Sequence, residues 1–121
     1  MRRVLIAEDR PASLELISTV LESAGYEVIG ALDGQEALEK ALRNSVDLVL
    51  LDLQMPKLDG FEVLIQLRKE SSFAKTPIVA LTASAMHGDR DRALSAGFSS
   101  YITKPVDIRF LRSEIERLIS K

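Results

Sequence analysis

The chain has 121 residues, 46% of them hydrophobic and 28% charged, a balance that fits one folded domain and excludes a disordered or low-complexity segment. Its net charge of −2 gives no electrostatic basis for a direct nucleic-acid or membrane partner, and the Arg2-Arg3 pair is too short to change that. Cysteine is absent, which removes disulfides, thiolate metal sites and cysteine nucleophiles, and no apolar run reaches the ~18 residues of a membrane span, so a cytoplasmic location is the default expectation.

Val4-Leu5-Ile6-Ala7 is a short, unbroken apolar run, the mark of a strand buried on both faces. Pro11 then stands where the first turn of a helix tolerates it. Leu14, Ile17, Val20, Leu21 and Ala24 recur at helical spacing before Gly25 stops the helix. Tyr26 to Ala31 reads as a second strand. Asp33 and Glu36 have capping-box spacing ahead of Ala37, Leu38, Ala41 and Leu42, which predicts a helix to about Asn44. Leu48-Val49-Leu50-Leu51 is a third strand, the most apolar of all and therefore the central one.

A loop containing Met55-Pro56 and Asp59-Gly60 leads into a third helix. Asp59 and Glu62 repeat the capping-box spacing, and Phe61, Leu64 and Ile65 are the expected inner face. Pro77 opens a fourth strand, Ile78 to Leu81. The next helix, from about Met86 to Ala96, carries few large apolar residues besides Met86 and Leu94, and its Asp89-Arg90-Asp91-Arg92 run predicts a solvated face. Gly97 ends that helix, and Ser100-Tyr101-Ile102 is a fifth strand. Asp107 caps a last helix carrying Ile108, Leu111, Ile115, Leu118 and Ile119.

Five rounds of strand then helix predict an α/β fold, a parallel sheet covered on both faces, because each right-handed crossover lays its helix on a face. Such sheets bind ligands beyond the carboxyl ends of their strands. Glu8 and Asp9 follow the first strand, Asp52 the third, Thr82 the fourth, and Lys104 with Pro105 the fifth. Taken singly, each has a plain structural role: acids cap helices or face water, Thr82 suits an N-cap, and a lone lysine serves solubility. Together they converge on one sheet edge. Three carboxylates held that close repel, and an all-oxygen donor set suits magnesium. Carboxylates, magnesium and an ammonium together suit a phosphoryl group, and an aspartate can accept one as an acyl phosphate. Asp52, at the edge of the core between the acidic pair and Lys104, is the best candidate for that acceptor.

From Val4 to about Ile119 the sequence resembles the receiver domain of bacterial two-component response regulators. The motifs are Glu8-Asp9, Asp52-Leu53-Gln54-Met55-Pro56 with Asp59-Gly60, Thr82-Ala83 and Lys104-Pro105; each is weak alone, and their order and spacing are specific. The resemblance implies a flavodoxin-like doubly wound sheet of order 2-1-3-4-5. It also implies that Asp52 accepts phosphoryl from a phosphohistidine on a histidine kinase or phosphotransfer protein, and that the chain promotes only its own phosphorylation and dephosphorylation. Magnesium would be bound directly by Asp9 and Asp52, through water by Glu8, and by the Gln54 backbone carbonyl. Lys104 would contact the phosphoryl oxygens, its bond to Pro105 would be cis, and Thr82 and Tyr101 would form the switch. A downstream protein would read the face made by the fourth helix, fifth strand and last helix. Arg10, Gln54 and Ser84 depart from or vary within the commonest pattern, Arg10 adding positive charge at the pocket rim.

A phosphatase or phosphomutase passing through an aspartyl phosphate is the alternative from another class. Such enzymes usually carry an acid two residues after the nucleophile, where this chain has Gln54, and close a lid over the substrate, for which there is no insertion. A nucleotide or flavin binder lacks its glycine-rich loop, and two acids after the first strand would repel a phosphate. The chain ends one helix after Lys104-Pro105, which fits a stand-alone regulator or a piece of a longer protein.

Overall fold

The computed structural model describes residues 2–83 and 89–119. Strands β1 (Arg3–Ala7), β2 (Glu27–Ala31), β3 (Leu48–Asp52), β4 (Ile78–Thr82) and β5 (Ser100–Thr103) alternate with helices α1 (Pro11–Ser23), α2 (Gly34–Arg43), α3 (Gly60–Arg68), α4 (Asp89–Ala96) and α5 (Ile108–Ile119). All strand pairs are parallel and the order is β2-β1-β3-β4-β5, as the sequence implies. Every residue of β3 and β4 is buried, which is why their sequences read as unbroken apolar runs.

Alternation along each strand sorts the core into two layers. Leu5, Ala7, Val49, Leu51, Ile78 and Ala80 face α2, α3 and α4, where Ala37, Ala41, Val63, Leu64, Leu67 and Ala93 cover them. Val4, Ile6, Leu48, Leu50, Val79, Leu81 and Ile102 face α1 and α5, against Ile17, Leu21, Leu111, Ile115 and Ile119. Each fully buried leucine or isoleucine contributes about 1.5–3 kcal/mol relative to exposure, so the two layers carry most of the driving force.

Local signals set the helix ends. Pro11 occupies the first turn of α1, and Gly25 (φ 97°) and Gly97 (φ 122°) take left-handed conformations after α1 and α4. The Asp59–Glu62 box closes in both directions, at 2.9 and 3.4 Å. The Asp33–Glu36 box closes in one: Asp33 accepts from the Glu36 amide at 2.8 Å, while Glu36 reaches one residue further back, to the Leu32 amide. Asp107 accepts from the Phe110 amide at 3.1 Å, capping α5.

Two expectations change. Ile65 is exposed and Phe61 only half-buried, because α3 turns Gly60, Val63, Leu64 and Leu67 inward, the true 3.6-residue stripe. Ile108 is likewise exposed, since the stripe of α5 begins at Leu111. The charged run of α4 is exposed as expected at Arg90, Asp91 and Arg92, and the Arg92 guanidinium lies 4.5 Å from the centre of the Phe61 ring, which packs edge-on against Phe98. Met86 and Ser84 lie outside the described residues.

Arg68, the last residue of α3, ties three segments together. One guanidinium nitrogen donates to the carbonyls of Phe73 and Thr76 at 2.6 and 2.7 Å, and another donates to Gly97 at 3.0 Å. It fixes the approach to β4 and the turn after α4 in a single contact set. Arg68→Met keeps the stem and deletes the donors, leaving three carbonyls short of a partner. Urea denaturation is expected to show a loss of roughly 2–4 kcal/mol with little change in m-value; a loss below about 0.5 kcal/mol would mean water replaces the guanidinium without penalty.

Candidate functional site

The winding of the sheet reverses between β1 and β3, so their carboxyl ends open onto the crevice between oppositely directed crossovers. Register sets which residues meet there. Ala7 pairs with Leu51, which brings Glu8, one residue past β1, beside Asp52. Main-chain bonds continue beyond the strands and fix each position: Glu8 N to Ala31 O at 3.0 Å, Leu53 N to Leu81 O at 2.9 Å, and Lys104 N to Thr82 O at 2.7 Å. Glu8, Asp52 and Lys104 extend the rows of Ile6, Leu50 and Ile102, so alternation gives all three the same side of the sheet.

They meet in a tight cluster. Lys104 Nζ donates to both Glu8 oxygens, at 2.8 and 2.9 Å, and to Asp52 Oδ2 at 2.7 Å. The Gln54 amide donates to Asp52 Oδ1 at 2.9 Å. Glu8 is fully buried and Asp52 is 5% exposed, yet among the described residues no buried side-chain polar atom lacks a partner. Burial, then the neighbouring Asp52, push the Glu8 carboxyl up to about 7, against the pull of Lys104. Burial also acts to raise Asp52, but hydrogen bonds from Glu8, Lys104 and the Gln54 amide outweigh it and hold Asp52 below its ordinary value. Lys104 is raised, its burial outweighed by the two carboxylates. The proton affinities of the two carboxyls are thus pushed apart, with Asp52 the more readily ionised.

Asp9 adds a third carboxylate. Glu8, Asp9 and Asp52 each offer an oxygen, all within 4.8 Å of one another, a donor set of the hard, anionic kind that a divalent cation such as magnesium takes. The Gln54 side chain is exposed, and its backbone lies against Asp52 through the amide. The Lys104–Pro105 bond is cis. Thr82 and Tyr101 belong to the other row: Tyr101 pairs in register with Ala80 and packs into the layer that faces α4, and Thr82 is 2% exposed. Arg10 lines a separate groove of about 450 Å³ with Leu16, Ala83, Lys104, Val106 and Ile108, which shares Lys104 with the acid cluster but none of its carboxylates.

Two residues that brace the loop after β3 escape the sequence reading: Gly34 and Lys57. Their part depends on contacts between loops. Lys57 has a positive φ of 69° and pairs with Asp33 at 3.5 Å, and nothing local to either residue predicts that.

A buried acid cluster with a lysine at the switch point of a 2-1-3-4-5 sheet defines a class of signalling protein, and comparison with known proteins bears this out. The sequence model of the response regulator receiver domain matches residues 4–116. The polar-differentiation response regulator DivK of Brucella anthropi is 36% identical over 93% of this chain and 92% of its own. The DNA-binding dual master transcriptional regulator RpaA of Synechocystis is 37% identical over the whole chain, which spans half the length of that protein. Among solved structures, the chemotaxis response regulator CheY4 of Vibrio cholerae superposes with a TM-score of 0.91 at 32% identity, covering 98% of both chains. The receiver domain of sensor histidine kinase PA1611 from Pseudomonas aeruginosa, with a magnesium ion coordinated in its active-site cleft, gives a TM-score of 0.91 at 35% identity, over 99% of this chain and 98% of that one. The chain belongs to the response regulator receiver domain family of two-component signalling. No helix among the described residues is long and apolar enough to cross a membrane.

The raised Glu8 carboxyl makes stability depend on pH with a definite sign. A carboxyl that holds its proton more tightly in the fold stabilises the protein below its ordinary value of 4.5, and that contribution disappears as pH rises through about 7. Asp52 works in the opposite sense, its contribution fading only as pH falls below the ordinary carboxylate range. In EDTA, the melting temperature is therefore expected to fall between about pH 5 and pH 8, and Glu8→Gln to flatten that decline. Melting curves of both proteins across this range check it, and parallel slopes would place the titrating group elsewhere.

Proposed function

We propose that residues 1–121 act as one receiver unit, a phosphorylation-dependent switch that takes a phosphoryl group on Asp52 from a histidine kinase or phosphotransfer protein. The observation that carries this reading is the Asp52 carboxylate, held ionised with Lys104 Nζ 2.7 Å from one oxygen beside the Glu8–Asp9 pair. A lowered carboxyl is the acceptor available at neutral pH. One of its oxygens attacks phosphorus of the phosphohistidine, the P–O bond forms, and the P–N bond breaks with its electron pair going to the imidazole. Lys104, already between Glu8 and Asp52, reaches the transferred oxygens by a short swing away from Glu8.

Asp9 and Asp52 would ligate magnesium directly, with the Gln54 carbonyl, and Glu8 would do so through water; bound there, the cation would neutralise charge on the transferring phosphoryl group. The chain is an acceptor that turns over only its own phosphoryl group. An aspartyl-phosphate phosphatase is less well supported, since Gln54 replaces the second acid and its amide already bonds Asp52. Mass spectrometry after acetyl phosphate, magnesium and borohydride trapping should find one modified residue, Asp52, and none in Asp52→Asn. Stable label in that variant, or equal labelling in EDTA, would sink the reading.

Output is proposed on the α4–β5–α5 face. Thr82 would bond the phosphoryl group, and Tyr101, packed on the same side of the sheet as α4, would turn inward behind it. Within Asp89–Ala96 only Ala93 is a buried apolar residue, so α4 has little holding it, as a switching element requires. Phe110 of α5 is 48% exposed, a ready aromatic anchor for a partner protein. A full population reversal takes about 5.5 kcal/mol of differential stabilisation, within reach of a few charge-assisted hydrogen bonds and a metal contact. Beryllofluoride with magnesium should shift the amide resonances of residues 89–96, Tyr101 and Phe110; shifts confined to the surroundings of Asp52 would put the output surface elsewhere.

A further inference from the structure

We infer that Gly34, the first residue of α2, is a positioning residue for the phosphoacceptor site, acting through the loop that joins β3 to α3. The inference rests on the reading of Asp52 and the Gln54 backbone given above. At its far end the loop closes on the strand through Gly60, whose amide donates to Leu53 O at 3.1 Å; a Cβ there would lie 2.7 Å from Asp52 O and 2.9 Å from Leu53 Cα. In its middle, Leu58 N donates to Pro56 O at 2.8 Å, a three-residue turn whose central residue is Lys57 at φ 69°. A turn of this hand is strained for a residue with a side chain, and such conformations persist only where their surroundings over-determine them.

Gly34 supplies the surroundings. Its amide reaches Pro56 O at 3.4 Å. A Cβ on Gly34 would overlap the carbonyl oxygen of Leu58 and stand 2.7 Å from Leu58 C and Cβ. The obstacle is backbone, which cannot swing aside as the end of a side chain can. The nearby Lys57–Asp33 ion pair is 3.5 Å long with a largely exposed lysine, the kind of pair that contributes little, so close packing at Gly34 does the holding. At its near end the same loop presents the Gln54 amide to Asp52 Oδ1. Any side chain on residue 34 therefore pushes Leu58 and Pro56, and with them the Gln54 peptide that orients Asp52 and whose carbonyl is a proposed metal ligand.

The test measures magnesium binding in wild type and in Gly34→Ala by amide NMR titration, alongside melting curves. Gly34→Ala is expected to fold but to bind magnesium at least about 10-fold more weakly, the usual size of losing support behind a metal site. Its labelling by acetyl phosphate should recover when magnesium is raised to saturation, a loss in half-saturation rather than in rate. A purely structural glycine would lower the melting temperature and leave the magnesium constant alone. A second measurement needs no variant: coupling is reciprocal, so magnesium should slow hydrogen exchange at the Gly34 and Leu58 amides of the wild-type protein by a larger factor than at Leu21, in α1, which reports only the global stabilisation. Equal magnesium constants in two folded proteins, or exchange at Gly34 slowed no more than at Leu21, would overturn the inference and leave Asp52 in its role. No magnesium response anywhere in the wild type would overturn both.

Discussion

Everything at this site depends on one ammonium between two buried carboxylates. Lys104 Nζ lies within 2.9 Å of Glu8 and 2.7 Å of Asp52, in a crevice where neither acid has appreciable contact with water. Burying charge is expensive, and a buried ion pair seldom repays its desolvation; apolar residues of similar volume would often make a more stable protein. The arrangement is therefore that of a site kept for chemistry. Two acids and one lysine leave an excess of negative charge, and burial beside Asp52 raises the Glu8 carboxyl while hydrogen bonds hold Asp52 below its ordinary value, so Asp52 is the more readily ionised of the two. A divalent cation and a phosphoryl group would change that balance together, the first offsetting the excess and the second drawing the lysine.

In the proposed switch, the sheet would keep the chemistry and its consequences on different sides. Alternation gives Glu8, Asp52 and Lys104 the row that faces α1 and α5, while Thr82 and Tyr101 follow the row that faces α4. Asp52 and Thr82 nonetheless end adjacent strands at the same carboxyl edge of the sheet. In the proposed switch, a hydroxyl at the end of β4 is thus the shortest route from the acceptor to the opposite layer. Since the strands between are close-packed, a displacement there has few ways to dissipate.

What the sequence discloses follows from how local its signals are. Leu48 to Leu51 announces the central strand without ambiguity, and Asp52 inherits its place from that run. Glu8, Thr82 and Lys104 are legible for the same reason: each is the first polar residue, or nearly so, after an apolar strand, and the parallel sheet sends all such positions to one edge. Periodicity on short helices is less decisive. For α3, Phe61-Leu64-Ile65 and Val63-Leu64-Leu67 are both plausible stripes, and only packing against β3 and β4 selects the second, leaving Ile65 exposed.

The bracing of the loop after β3 is illegible for a different reason. Asp33-Gly34 reads as an ordinary helix start and Lys57 as an ordinary surface lysine, because the feature that binds them is an approach of two backbones more than 20 residues apart in sequence. No propensity encodes such an approach. It shows only as the absence of a side chain at Gly34 and a strained φ at Lys57, and glycines and left-handed residues arise in many turns that border no site at all. The residues that carry charge at the site are therefore readable from strand ends, whereas those that set its geometry to within an ångström are not. The second group decides how well the first works, because carboxylates placed loosely in a crevice bind a cation far more weakly than the same carboxylates held by a fixed second layer.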